Sequence, residues 1–253
     1  MMNPMDLTGK KIIVTGASSG IGRETCILLS KLSAKVIMIA RREEKLKDTL
    51  SELNGLEHLY YCYDLKDIDG IENMIKQIIK KNGPVDGFVH SAGIGNYRPL
   101  NMIKPKFLRE VMEVNFYSFV EIVRCITKRN CFNEGMNIVG VSSISSQQGN
   151  QTKTAYCASK AAMDAAIRCM AKELAPKKVR VNSVVPALIK TKLYDVFLDM
   201  GSDSEDAKNV MARQYLGLGE PIDVANMIAY LLSDAAKFIT GTSIPIDGGR
   251  LSS

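Results

Sequence analysis

Two residues four positions apart, Tyr156 and Lys160 in Tyr156-Cys157-Ala158-Ser159-Lys160, carry the most pointed chemistry in the chain. On a helix this spacing puts both on one face, one turn apart. A free tyrosine titrates near ~10, too high for efficient proton exchange at neutral pH. A neighbouring ammonium favours the phenolate and lowers that value. A phenol tuned in this way can give a proton to a carbonyl oxygen as hydride arrives, or remove one from an alcohol. The same spacing is common on ordinary helices, so the pair needs partners. Ser143, in Ser142-Ser143, follows an apolar run shortly before Tyr156, and its hydroxyl could bond a substrate oxygen beside the phenol. Asn115 lies within Glu113-Val114-Asn115-Phe116, an apolar helical stretch where an amide is unfavourable without a partner. It is either a satisfied core residue or the support of a water relay from Lys160.

A second group of residues suits a dinucleotide. Thr15-Gly16-Ala17-Ser18-Ser19-Gly20-Ile21-Gly22 follows an apolar run and opens a helical pattern, with glycines spaced G-x-x-x-G-x-G. Glycine allows the tight turn and lets backbone N–H groups approach a pyrophosphate. The helix behind the turn adds a favourable dipole for that anion, and this strand–turn–helix setting is the context the motif requires. The next strand ends Ala40-Arg41-Arg42, where an NAD site usually has an acid for the ribose 2′-OH. An arginine fork there can instead hold a 2′-phosphate, so NADP(H) is the expected cofactor and Arg41 its expected contact. The alternative is that Arg41 and Arg42 are surface residues opening a helix with Glu43 and Glu44. Asp64-Leu65 ends a third strand at the height of an adenine ring; Asp64 could also cap the following helix.

These residues need a scaffold. Short β-branched runs at 11–15, 35–40, 59–63, 87–90, 137–141, 179–185 and 243–246 alternate with helical patterns at 21–32, 43–53, 68–81, 106–128, 155–174 and 222–232. Alternation of this kind means βαβ crossovers and a parallel sheet. The strands read as continuous apolar runs, as expected when helices cover both faces. The predicted fold class is therefore α/β, one Rossmann-like doubly wound domain over 1–253, with its ligand at the carboxyl ends of the strands. The segment 190–219 exceeds ordinary loop length and is either a substrate lid or a surface excursion that closes nothing.

At 253 residues, 46% hydrophobic and 24% charged, the composition is that of a globular chain rather than a disordered one. No apolar run is long enough to span a bilayer. The N-terminus lacks a secretory apolar stretch, which points to the cytoplasm. Six scattered cysteines and two distant histidines, His58 and His90, show no metal-ligand spacing and read as buried or partly buried reduced thiols and no metal site. The net charge of +6 is spread in short pairs, without the basic face and interleaved aromatics of nucleic-acid binders.

With the motifs TGASSGIG (15–22), Asp64-Leu65, HSAG (90–93), Asn115, Ser143, YCASK (156–160), NSVVPALIKT (182–191) and TGTSIPIDGG (240–249), the sequence resembles the short-chain dehydrogenase/reductase family over essentially its whole length. Within that family it is most similar to 3-oxoacyl-[acyl-carrier-protein] reductases. The resemblance implies a catalytic tetrad: Tyr156 as general acid/base, Lys160 lowering its pKa and holding the nicotinamide ribose, Ser143 polarising the carbonyl, and Asn115 supporting a water to Lys160. It implies a cofactor lying along Gly16, Ser18, Ser19, Gly20, Ile21, Gly22, Arg41, Arg42, Asp64, Leu65, Ser91, Ala92 and Gly93. The same cofactor would be bounded by Pro186, with Ile189 and Thr191 by the carboxamide and phosphates. The implied activity is NADPH-dependent reduction of a ketone, such as a 3-oxoacyl thioester, in a homotetramer or homodimer paired through the helix bearing Tyr156 and the helix near 221–232. An NAD-dependent alcohol, sugar or steroid dehydrogenase and a non-catalytic NADP-binding regulator are the other readings. Three positions depart from the family pattern. His90-Ser91 replaces an Asn pair, Ala187 follows Pro186 in place of glycine, and Ser19 stands where NADP enzymes often carry a base. The pocket is expected to be shaped by 95–100, 145–154 and 190–219, with no diagnostic charge pair among them.

Overall fold

Along each central strand, successive residues bury on opposite faces. In β1 (Lys11–Thr15), Ile12 and Val14 enter one apolar cluster while Ile13 enters another. A strand apolar on both faces must be covered on both. In this computed structural model, which describes residues 3–55, 57–95, 97–192, 194 and 212–252, helices cover both faces. On one face, α1 (Gly20–Lys31), α2 (Glu43–Ser51) and α7 (Pro221–Leu232) pack through residues such as Leu29, Leu46 and Ile228. On the other, α3 (Ile71–Asn82), α5 (Ser118–Ile126) and α6 (Thr154–Leu174) pack through Ile75, Phe119 and Ile167. No helix among the described residues is long and apolar enough to cross a membrane.

The sheet has seven parallel strands in the order β3-β2-β1-β4-β5-β6-β7. They are β1, β2 (Lys35–Ala40), β3 (Leu59–Cys62), β4 (Val85–His90), β5 (Phe132–Val141), β6 (Arg180–Pro186) and β7 (Ser243–Ile246). The order reverses between β1 and β4, so a crevice opens outside their carboxyl ends.

The largest difference from expectation is in the helix predicted over 106–128. It is three pieces: α4 (Pro105–Met112), a π-helical turn (Glu113–Tyr117) and α5. The extra residue of a π turn rotates the following helix and often marks a functional position; here it carries Asn115. β5 begins five residues earlier than predicted, because Phe132 pairs with Val85 across a register shift. Helix α3 starts at Ile71 rather than 68, since Asp67 Oδ1 accepts from Gly70 N (3.1 Å) and holds a turn ahead of the helix. The segment predicted as a lid, 190–219, lies mostly outside the described residues, at 193 and 195–211. Its described ends are tied together. Lys190 N donates to Gly219 O (2.8 Å) and Gly219 N to Leu188 O (3.2 Å), while Gln214 exchanges side-chain hydrogen bonds with both backbone groups of Leu188. All six thiols are reduced, but Cys62 and Cys169 are exposed rather than buried, one on the edge strand β3 and one on the outer side of α6.

Candidate active site

The turn between β1 and α1 fits a phosphate-bearing ligand at the backbone level. Gly16 has φ +68°, and a Cβ there would stand 2.8 Å from the backbone of Ser91 and Ala92. Only glycine allows the turn to lie so close to the end of β4. The N-cap residue of α1, Ser19, makes no side-chain capping bond. The first-turn amides are therefore left for an anion. The residues present thus suit a dinucleotide pyrophosphate. Of the residues expected at the site, all but Gly22 and Asn115 line one cleft of about 610 Å³ at the carboxyl edge of the sheet. Gly22 lies behind the turn, where a Cβ would meet Gly16 O.

At the far end of the cleft, Arg41 and Arg42 are exposed, and among the described residues neither forms an ion pair. Nearby cations are already matched, Arg23 with Glu52 and Lys45 with Asp48. Arg42 and Ser19 also face a smaller hollow with Lys192. Asp64 is exposed, and its Oδ1 accepts from Lys66 N (3.1 Å). It therefore caps a turn, since the next helix begins only at Ile71.

At the near end, α6 turns Tyr156 and Lys160 toward the ends of β4 and β5. The Lys160 ammonium donates to Val141 O (2.7 Å) and lies 5.8 Å from the centre of the Tyr156 ring. Ser143, at the end of β5, is in hydrogen-bonding contact with the Tyr156 hydroxyl, which pulls the phenol down, but burial dominates and pushes it up to about 12. Burial, not Lys160, thus sets the direction of the Tyr156 shift. The ammonium is engaged by a carbonyl and is itself brought down to about 8 by burial, with Asp164 partly opposing the shift. Asp164 in turn accepts from Ser183 Oγ (2.8 Å).

Asn115 is fully buried, and its amide is satisfied. Its Oδ1 accepts from Ile94 N (2.8 Å), and its Nδ2 donates to Ile94 O (3.0 Å) and to Ser159 Oγ (2.9 Å). Ser159 Oγ donates to Tyr156 O (2.8 Å). The π turn is thereby fastened to the loop after β4 and to α6. Asn115 Oδ1 and Lys160 Nζ both approach Gly93, each 3.5 Å from where a Cβ would sit. His90 is buried against Phe88 and Phe119, and its Nδ1 lies 3.1 Å from Thr15 Oγ1. Burial and the Lys160 charge lower it to about 3, so it stays neutral.

Tyr97 and Lys153 line the cleft from within the segments 95–100 and 145–154 expected to shape it, though the sequence singles out neither, whereas Arg250 lies outside every expected segment. Lys153 was visible three positions before Tyr156, on the same helical approach, but Arg250 follows the last motif and nothing local marks it. Elsewhere, Glu72, Glu121 and Cys125 come together, but cations hold the carboxylates: Arg124 reaches both acids at 2.6 Å, and Lys76 and Lys128 reach Glu72.

A parallel sheet with its switch-point cleft bordered by a glycine turn on one side and a tyrosine, lysine and serine on the other defines a class, the Rossmann-type oxidoreductases. Relatives narrow it further. The family model described as enoyl-(acyl carrier protein) reductase matches residues 16–250. An L-xylulose reductase of Caenorhabditis elegans is 34% identical over 247 residues, covering 96% of each chain. A 3-oxoacyl-[acyl-carrier-protein] reductase of Thermotoga maritima is 32% identical, covering 97% of this chain and 99% of that one. A solved structure from Beutenbergia cavernae, with NADP bound at low occupancy, superposes with a TM-score of 0.87 at 29% identity, covering 99% of this chain and 100% of that one. The protein belongs to the short-chain dehydrogenase/reductase family, whose members use NAD(P).

Proposed function

We propose that this protein is an NADPH-dependent reductase that converts a ketone to a secondary alcohol. The observation that carries the reading is the meeting of Tyr156, Ser143 and Lys160 at one end of a cleft whose other end presents Arg41 and Arg42. When bound, NADPH supplies a hydride to the carbonyl carbon. The chain's own residues handle the oxygen and the proton. The Ser143 hydroxyl and the Tyr156 phenol both bond the carbonyl oxygen, and Tyr156 gives up its proton as charge grows there. A phenol held near 12 is fully protonated at neutral pH, which is the form a reductase needs before the reaction. Once the proton has left, the Lys160 ammonium is the cation nearest the phenolate and stabilises it. Asn115 keeps α6 and the loop after β4 in register, so that Lys160 and Gly93 bound the same space. Arg41 and Arg42 hold the 2′-phosphate, supported by their lack of ion-pair partners among the described residues. The unit acts as one domain, in the cytoplasm, as a homodimer or homotetramer. Leu108 on α4 and Tyr117 on the π turn are exposed apolar residues that a second copy would cover.

The test is Tyr156→Phe, followed by NADPH absorbance across a panel of ketones and 3-oxoacyl thioesters. The expected loss in kcat is about 10²- to 10⁴-fold with NADPH binding nearly intact, since only a proton donor is removed. Turnover kept at the wild-type level in the phenylalanine variant rejects the assignment.

A further inference from the structure

The smaller hollow beside the glycine turn opens from the cleft, and among the described residues four border both spaces: Ser18, Ser19, Arg42 and Lys192. The hollow is faced by four cations, Arg23, Arg42, Lys45 and Lys192, and by two acids, Asp48 and Glu52. Both acids are taken. Glu52 pairs with Arg23, and Asp48 lies 2.8 Å from Lys45. Arg42 and Lys192 are left over, and neither forms an ion pair among the described residues. The nearby Lys190 differs, since its ammonium lies 3.4 Å from Glu220.

Lys192 is placed by the residue before it. Thr191 packs on the glycine turn, where its Cγ2 lies 3.2 Å from the position of a Cβ on Gly20. Thr191 Oγ1 donates to Ile189 O (3.2 Å), and its carbonyl accepts from Tyr194 N (2.8 Å). Ile189 is in turn bridged to Gly219. The backbone carrying Lys192 is thus held against the amino end of α1, while Arg42 comes from the end of β2. The turn itself offers hydroxyls but no cation, and the Ser19 side chain caps nothing. An anion reaching from the cleft into the hollow would pass between a guanidinium fork on one side and an ammonium on the other, with two serines beneath.

We propose that Lys192 determines cofactor specificity by pairing its ammonium with the 2′-phosphate of NADP(H) from the side opposite Arg42, in place of a cation that the glycine turn lacks. This rests on NADP(H) being the cofactor. Because the phosphate is then gripped from both walls, NADP(H), unlike NAD(H), ties the chain after β6 to the start of α2.

The experiment is a fluorescence titration of NADPH and of NADH into the wild type, Lys192→Met and Lys192→Arg. Lys192→Met should weaken NADPH about 10-fold, the low end for a charge-assisted contact because Lys192 is exposed, and NADH by no more than about 2-fold. Lys192→Arg should restore most of the loss. Adenosine 2′,5′-bisphosphate, which has neither the pyrophosphate nor the nicotinamide, should lose about the same factor in Lys192→Met by calorimetry, and AMP should not. Equal losses for NADPH and NADH would place Lys192 on the pyrophosphate or in the fold and overturn the proposal. So would an unchanged NADPH affinity, or a loss that spares the bisphosphate. A wild type that holds NADH as tightly as NADPH removes the NADPH reading and this proposal together; a wild-type preference that survives in Lys192→Met removes this proposal alone.

Discussion

Lys160 is placed where burial and chemistry pull its charge in opposite directions. Burial brings it down to about 8, while the unfolded chain would keep a lysine near ~10.4. Between those two values the unfolded chain holds a proton that the folded one has released, so this residue's contribution to stability rises with pH in that interval. Below about 8 both states are protonated and the burial penalty is fully present. Melting the ligand-free wild type beside Lys160→Met should therefore show the difference shifting in favour of the wild type from pH 8 to 10. In the same range reduction should fall, because the ammonium that stabilises the Tyr156 phenolate is being lost; a flat difference and a flat rate would remove Lys160 from both roles. Arg41 makes the other residue-scale prediction. Arg41→Ala should weaken NADPH about 10- to 100-fold and NADH far less, through loss of one charge-assisted phosphate contact. Titration of both nucleotides by fluorescence checks it, and equal losses would show that Arg41 does not read the 2′-phosphate.

Among the elements, α7 is held at its end by residues of the neighbouring strand. Arg180, on β6, donates to Leu231 O (2.7 Å), Ser233 O (3.0 Å) and Ile239 O (3.2 Å). A guanidinium at a helix carboxyl end satisfies carbonyls that have no partner within the helix and opposes the dipole. Arg180→Ala should lower stability by about 1.5–3 kcal/mol. The signature would be a lower urea midpoint with an unchanged slope. The existence and type of the elements were readable because apolar runs and helical spacing are local signals; their ends were not. The π turn at 113–117 is the clearest case. Its sequence, EVNFY, is compatible with an unbroken helix, and the interruption arises from Asn115 bonding Ile94 and Ser159, partners set by the tertiary structure. The start of β5 at Phe132 was hidden for the same reason, since it depends on pairing with Val85.

At the scale of the molecule, the parallel doubly wound sheet and the placement of Tyr156, Ser143 and Gly16 around one crevice could be read in advance because each lies in a motif next to a recognisable strand or helix, whereas the strand order appears only in the structure. The electrostatics could not be read in advance either. Whether Lys160 brings Tyr156 down depends on burial and on Val141 O, which no spacing encodes. Lys153 and Arg250 are distant in the chain and meet only because β7 returns along β6 and delivers the last turn to the cleft. The ends of the 190–219 segment follow a similar logic. Ile189 and Gly219 form a parallel bridge, closed by backbone bonds and by Gln214, so the two ends of the insertion are tied to each other at its base. Lengthening such a stretch adds little closure entropy, about 0.6 kcal/mol per doubling. A protein engineer could therefore change the length of that stretch while the tie at its base stays as inherited.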